Sequence, residues 1–284
     1  MSPPPLRRAW ARFRAHRPAV IAAAVVAVLA LAAIGAPLLA PADPLAQPDP
    51  VGLQNRPPSA DHPLGTDRFS RDVASRLLYG ARVSLGIGAA AALLAVLIGA
   101  GVGLAAGLGS AAADQILMRG VDVALALPRV FLILLALALW EDAPAWAVIG
   151  LIAVTGWFQT SRVVRALVLR LRESEFVQAA RALGARRSRL AVRHVLPHVA
   201  PAIIVSATLD VGNIILLESG LSYLGLGVRA PAPSWGNMIL DGKDQLLSAP
   251  WVAVAPGLAL LLTVAAFNLA GDGLQDALDP RRER

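Results

Sequence analysis

VSLGIGAAAALLAVLIGAGVGLAAGL, residues 83–108, runs for 26 residues without a charge. As a helix it would reach about 39 Å, more than the ~30 Å of hydrocarbon that a membrane span must cross. In lipid each backbone polar group must be satisfied within its own segment, so a run of this kind predicts a transmembrane helix. Gly99, Gly103 and Gly107 recur at every fourth position. That spacing puts the small residues on one face, suited to close helix packing or to a backbone-lined substrate passage. Working outward, similar runs at 19–40, 120–140, 145–164, 201–224 and 251–269 predict an all-α polytopic membrane protein of six transmembrane helices. The third is placed by length alone, which forces Pro128 and Arg129 inside it. The rest divides into an N-terminal tail (1–18), a proline-rich segment (41–82) with a short amphipathic helix over 71–82, a loop (165–198) within a five-helix core (83–270), and a C-terminal tail (271–284).

Composition agrees with that class. The chain is 56% hydrophobic with a mean hydropathy of +0.61, and its 16% of charged residues compares with about 25% in soluble domains. Six spans in 284 residues leave no room for a separate catalytic domain. The absence of cysteine removes disulfide frameworks, thiolate metal sites and cysteine nucleophiles. The net charge of +7 raises nucleic-acid binding, until the charges are sorted by loop. With the N-terminus inside, 18 of the 26 Lys and Arg residues fall on the cytoplasmic side and 7 outside, with Arg129 in a span. The excess is the positive-inside pattern, so both termini are expected in the cytoplasm and no nucleic-acid partner is expected. The long apolar run after the basic tail reads as an uncleaved first span.

Residues 162–198 stand apart, with nine arginines and two glutamates on a helical apolar pattern. Phe176, Ala179, Ala180 and Leu183 fall at i, i+3, i+4 and i+7, one stripe of an amphipathic helix. Ser174 is placed to cap it, Glu175 to complement its N-terminus and Gly184 to end it in a left-handed turn. A second short helix over 187–195 is expected to stop at Leu196, because a residue before proline is pushed out of the α region. Such an element either lies in the anionic inner leaflet or fills a groove on a cytoplasmic partner.

Gln178-Ala179-Ala180, then Gly184, then His194-Val195-Leu196-Pro197 resembles the EAA loop of bacterial ABC importer permeases, E-A-A-x3-G-x9-I-x-L-P. Gln178 stands where that pattern has Glu, and His194 where it has Ile; Glu175, one turn earlier, is a substitute for the acid. Three further segments are similar to permeases of the dipeptide, oligopeptide and nickel importers. They are His62-Pro63-Leu64-Gly65-Thr66-Asp67 through Arg82, Leu221-Ser222-Tyr223-Leu224-Gly225-Leu226-Gly227 through Gly236, and Gly271-Asp272-Gly273-Leu274 through Pro280. The resemblance implies an inner-membrane permease that pairs with a second, homologous permease. It also implies two ATPase subunits on the EAA loops and an extracytoplasmic substrate-binding protein. Glu175, Phe176, Gln178, Ala179, Ala180, Leu183, Gly184, Leu196 and Pro197 become the coupling residues, with closure of the ATPases tilting the attached spans. ATP and Mg would be used by those partners. The chain has no G-x4-G-K-[ST] loop, no catalytic residue is assigned and no cofactor is expected on this chain.

Ionisable groups inside spans are the candidate translocation path. Asp210, Asn213 and Glu218 fall within about 140° of arc on the fifth span. They either line a polar route, for a peptide ammonium or a metal chelate, or cap and brace the helices. Arg129 either reads a substrate carboxylate, pairs with one of these acids, or marks a misplaced boundary. His194 and His198 lack a third ligand, so no metal site is expected. Two other functions remain open: a stand-alone secondary transporter, which calls for inverted repeats that are not visible, and an intramembrane enzyme, which calls for facing catalytic groups.

Overall fold

The computed structural model describes residues 6–140 and 143–278. Helix α1 (Leu6–Ala15) turns into α2 (Arg17–Ile34) at His16, whose ring nitrogen accepts the Ala19 N–H at 3.2 Å. After the single turn α3 (Ala36–Leu39), seven prolines keep residues 40–72 out of any helix. Side chains order that stretch instead. Asp49 accepts the N–H groups of Gly52 and Val51, which hold its carboxyl below the usual carboxylate range.

The remaining helices are α4 (Val73–Leu108), α5 (Ala111–Ala126), α6 (Arg129–Leu139), α7 (Ala145–Arg172), α8 (Glu175–Ala182) and α9 (Arg187–Arg189). A π-helical turn (Leu190–Val195) leads into α10 (Leu196–Tyr223), followed by α11 (Trp235–Gly242), a 3₁₀ turn (Lys243–Gln245) and α12 (Trp251–Leu278). Five helical stretches are long and apolar enough to cross a bilayer: 17–34, 73–108, 145–172, 187–223 and 251–278. The pair α5 and α6 makes a sixth if taken as one broken span. Among the described residues no strand forms beyond a lone bridge between Thr66 and Asp72.

Several boundaries differ from expectation, each for a local reason. The amphipathic helix over 71–82 and the run over 83–108 are one helix of 36 residues, capped by Asp72 accepting the Ser75 N–H at 2.7 Å. The third span is not a straight helix over 120–140. Pro128 has no N–H to give the preceding turn, Leu127 is extended, and α5 and α6 meet at 77°. Nor does the chain leave the helix at Leu196. That residue is helical (φ −53°, ψ −43°), and Pro197 sits in the first turn of α10, where its missing N–H is not needed. Helix α12 continues unbroken past the expected end of the sixth span, through Gly271 and Gly273, which pack against Leu209 and Ala19. Asp279 and Pro280 of the fourth motif, and residues 1–5, lie outside the described residues.

The glycine stripe of α4 seats α7. A Cβ on Gly103 would stand 2.7 Å from both the Ser161 carbonyl and the Val164 Cβ, while one on Gly101 would meet nothing within 4 Å. Gly99 and Gly107 face Thr160 and Val168 in the same way. Gly103→Ala should therefore cost about 1–3 kcal/mol, the penalty of overpacking, with Gly101→Ala near neutral. Thermal unfolding of the two detergent-solubilised variants separates them. Equal midpoints would remove close approach as the reason for the stripe.

Candidate functional site

At one end of the bundle α8 lies across a buried cluster of Val164 and Val168 from α7 with Leu190, Val195 and Val199. Val177 is fully buried in it, and Phe176 and Ala180 are partly buried against it. The expected stripe is thus split. Ala179 is exposed and Leu183 is 89% exposed. The inward direction falls among Phe176, Val177 and Ala180, which throws Ala179, Ala182 and Leu183 onto one outer flank beside exposed Glu175.

Both ends of α8 have clear causes. Ser174 occupies the N-cap position but makes no side-chain capping bond; its hydroxyl turns back and donates to the Leu171 carbonyl at 2.5 Å, at the end of α7. Gly184, at φ +82°, closes the helix. Its N–H bonds to the Arg181 carbonyl at 2.9 Å and the Ala185 N–H to the Ala180 carbonyl at 3.1 Å, the two bonds of a Schellman ending. The Gln178 amide donates to the Glu173 carbonyl at 3.2 Å, a bond that an ionised Glu, which only accepts, could not make. Leu196 is half-buried at the start of α10, and Pro197 beside it is exposed.

Of the four intramembrane candidates, the structure brings two together. Arg129, at the break between α5 and α6, donates to the Ile152 carbonyl at 2.8 Å and to the Thr155 hydroxyl at 3.2 Å. It also interacts with Asp210, which accepts a hydrogen bond from Thr160. A cavity of about 110 Å³ opens there, lined by Leu127, Arg129, Leu132, Thr155, Gly156 and Gln159, among others. Asn213 is exposed on α10. Glu218 faces no open space; it is fully buried and accepts hydrogen bonds from Ser84 on α4 (3.1 Å) and Ser222 (2.7 Å).

The other end of the bundle holds a cluster that the sequence reading missed. Arg71 Nε bonds Asp67 at 2.6 Å and its Nη2 bonds Asp241 of α11 at 2.8 Å. Arg76 reaches the same Asp241 oxygen at 3.3 Å, and Arg68 the other at 3.2 Å. His62 bonds Asp72 at 2.9 Å. The segment before α4 is thereby clasped to α11 and, through the Trp251 indole donating to the Thr66 carbonyl at 3.1 Å, to α12. Asp241 lies 165 or more positions from its arginines, and no local spacing announces it.

Between α5 and α7, Arg165 grips Asp114 through two bonds of 2.5 and 2.7 Å, and Arg162 pairs with Asp122. These pairs hold the first half of the broken span, of which only Met118 and Val121 are buried.

Comparison with known proteins gives similarities of three kinds. Residues 95–284 match the family described as binding-protein-dependent transport system inner membrane component, and residues 4–58 match the N-terminal transmembrane domain of oligopeptide transport permease C. Among curated relatives, the dipeptide transport system permease protein DppC of Alkalihalophilus pseudofirmus is 39% identical over 278 residues, covering 98% of this chain and 90% of that one. The oligopeptide transport system permease protein OppC of Bacillus subtilis is 39% identical over 275 residues, covering 96% and 88%. A solved chain of the MetNI methionine ABC transporter shares the fold, with a TM-score of 0.58 at 18% identity, over 72% of this chain and 96% of that one.

Proposed function

The chain belongs to the family of binding-protein-dependent transport system inner membrane components, and from that premise we propose that it is the permease subunit of an ATP-driven importer of di- or oligopeptides. The observation that carries the reading is the outer flank of α8. Leu183, 89% exposed beside Ala179 and Ala182, is an apolar surface left open on a helix that its own chain holds firmly from beneath. A groove on a cytoplasmic ATPase would fill with that flank, the helix-in-groove mode of recognition. The inner-leaflet alternative fits less well, because Ala179, Ala182 and Leu183 make too small a face for stable interfacial binding.

ATP and Mg would then be handled by two ATPase subunits, and substrate would arrive from an extracytoplasmic binding protein. Exposed Phe131, Leu135 and Leu139 on α6 and Leu216 on α10 supply apolar surface for a second, homologous permease. Both termini lie in the cytoplasm of an inner-membrane protein, as the charge sorting requires. Arg129 with Asp210, and Asn213, are the candidate path; Glu218 is assigned instead to bracing.

The test is Leu183→Glu in the importer assembled with its partner chains. A buried interface position given a charge should lower ATPase co-purification and substrate-stimulated hydrolysis by about tenfold or more. Wild-type stimulation would refute the docking role. Uptake by reconstituted liposomes of trialanine, pentaalanine or a nickel chelate decides the substrate class, and uptake by this chain alone would favour a secondary transporter.

A further inference from the structure

We propose that the ring stack between Phe176 of α8 and His198 of α10 transmits movement of the docking helix to the fifth span, which makes His198 a positioning residue in transport. This rests on the reading of α8 as the ATPase contact. The two rings lie 4.9 Å apart at 25°, close to parallel. His198 is not free to turn. Its Nδ1 is 2.8 Å from the His194 carbonyl, and since a carbonyl only accepts, that nitrogen must carry the proton and donate. The ring is thereby pinned to the first turn of α10, directly past the π-helical turn at 190–195.

Helix α8 follows α7 through the short link at Glu173 and Ser174, and any push on it reaches α7 along the backbone. Its route to α10 differs, because α8 and α10 are separated in sequence by the Gly184 turn, α9 and the π turn. Val177 and Ala180 meet that route through the greasy cluster with Leu190 and Val195, contacts that slide without a preferred direction. The Phe176–His198 pair is different: two planar groups, one of them hydrogen-bonded in place, resist tilt as well as approach. On α10 the same helix carries Asp210 about three turns further along, within electrostatic reach of Arg129. A displacement at His198 therefore passes along α10, through the turn that holds Pro201, to Asp210 and Asn213 of the candidate path.

The experiment compares His198→Ala and His198→Phe in the complete importer reconstituted in liposomes, with trialanine uptake and ATP hydrolysis measured on the same vesicles. His198→Ala should keep ATPase co-purification and hydrolysis within about twofold of wild type while trialanine moved per ATP falls about fivefold, the size of one lost aromatic pair. His198→Phe, which keeps the stack and loses the Nδ1 bond, should recover most of the ratio. The proposal is overturned if His198→Ala transports at the wild-type ratio, even with a lowered unfolding temperature, or if His198→Phe is as uncoupled as His198→Ala. Failure of the docking reading shows separately, as unchanged ATPase binding by Leu183→Glu.

Discussion

Asp241→Ala is expected to destabilise the chain by about 3–5 kcal/mol, because it strips the shared counter-ion from arginines that have no water to turn to. The Arg71 and Arg76 side chains are 6% and 3% exposed, and each sends a guanidinium nitrogen to the same Asp241 oxygen. With Asp241 gone, Asp67 alone would face both, at 2.6 Å from Arg71 and 3.6 Å from Arg76. Arg68 matters less, since at 41% exposure water screens its 3.2 Å contact. Arg76 is the more vulnerable of the buried pair, because its Nη1 already lacks a partner. The measurement is the unfolding midpoint of the detergent-solubilised protein, taken with a double variant. Arg76→Leu in the Asp241→Ala background should restore much of the loss, because it removes the uncompensated charge itself. A single variant within about 0.5 kcal/mol of wild type, the range of ordinary surface changes, would mean that the cluster is solvated and holds nothing.

What could be read from the sequence, and what could not, divides along the range of the interactions. Long apolar runs declare themselves by length, so the all-α membrane class and most spans followed from counting. Gly184 was legible because a left-handed helix end asks for one residue type. The broken third span was not, since its length could be satisfied only by running through Pro128, and the bend depends on how α6 reseats with Arg129 on α7. The inner face of α8 was misjudged by about 60° of arc. Periodicity fixes which residues share a stripe, but the direction of burial came from the facing cluster of Leu190, Val195 and Val199, which α8 does not contain. Asp241 and the Ser84 partner of Glu218 were invisible for the same reason: their partners lie on distant segments, and only the fold makes them neighbours, whereas Ser222 stands four residues from Glu218 on α10 itself.

The largest consequence of that kind falls on Glu218. A carboxylate only accepts hydrogen bonds, so Ser84 and Ser222 must both donate to it, at 3.1 and 2.7 Å. Their lone pairs are thereby left to accept from backbone: Trp235 N–H reaches Ser84 at 3.3 Å and Val228 N–H reaches Ser222 at 2.9 Å. Ser219 adds a long bond at 3.5 Å. One buried carboxyl group thus orients the hydroxyls that hold residue 228 of the loop after α10 and the first residue of α11. Glu218→Ala should cost about 3 kcal/mol or more, the sum of several buried hydroxyls losing their partner at ~1–3 kcal/mol each. Glu218→Gln should cost about 1–2 kcal/mol, because its amide nitrogen can no longer accept from one serine. A local readout is available because the chain has no native cysteine. Met238, 2% exposed on α11, can be replaced by cysteine and its labelling by a membrane-impermeant maleimide timed. If Glu218 braces the loop, labelling quickens in Glu218→Ala, and by less in Glu218→Gln, while the chain is still folded. If Glu218 instead lines the path, labelling at 238 is unmoved and trialanine uptake falls in both variants, and the bracing role is wrong.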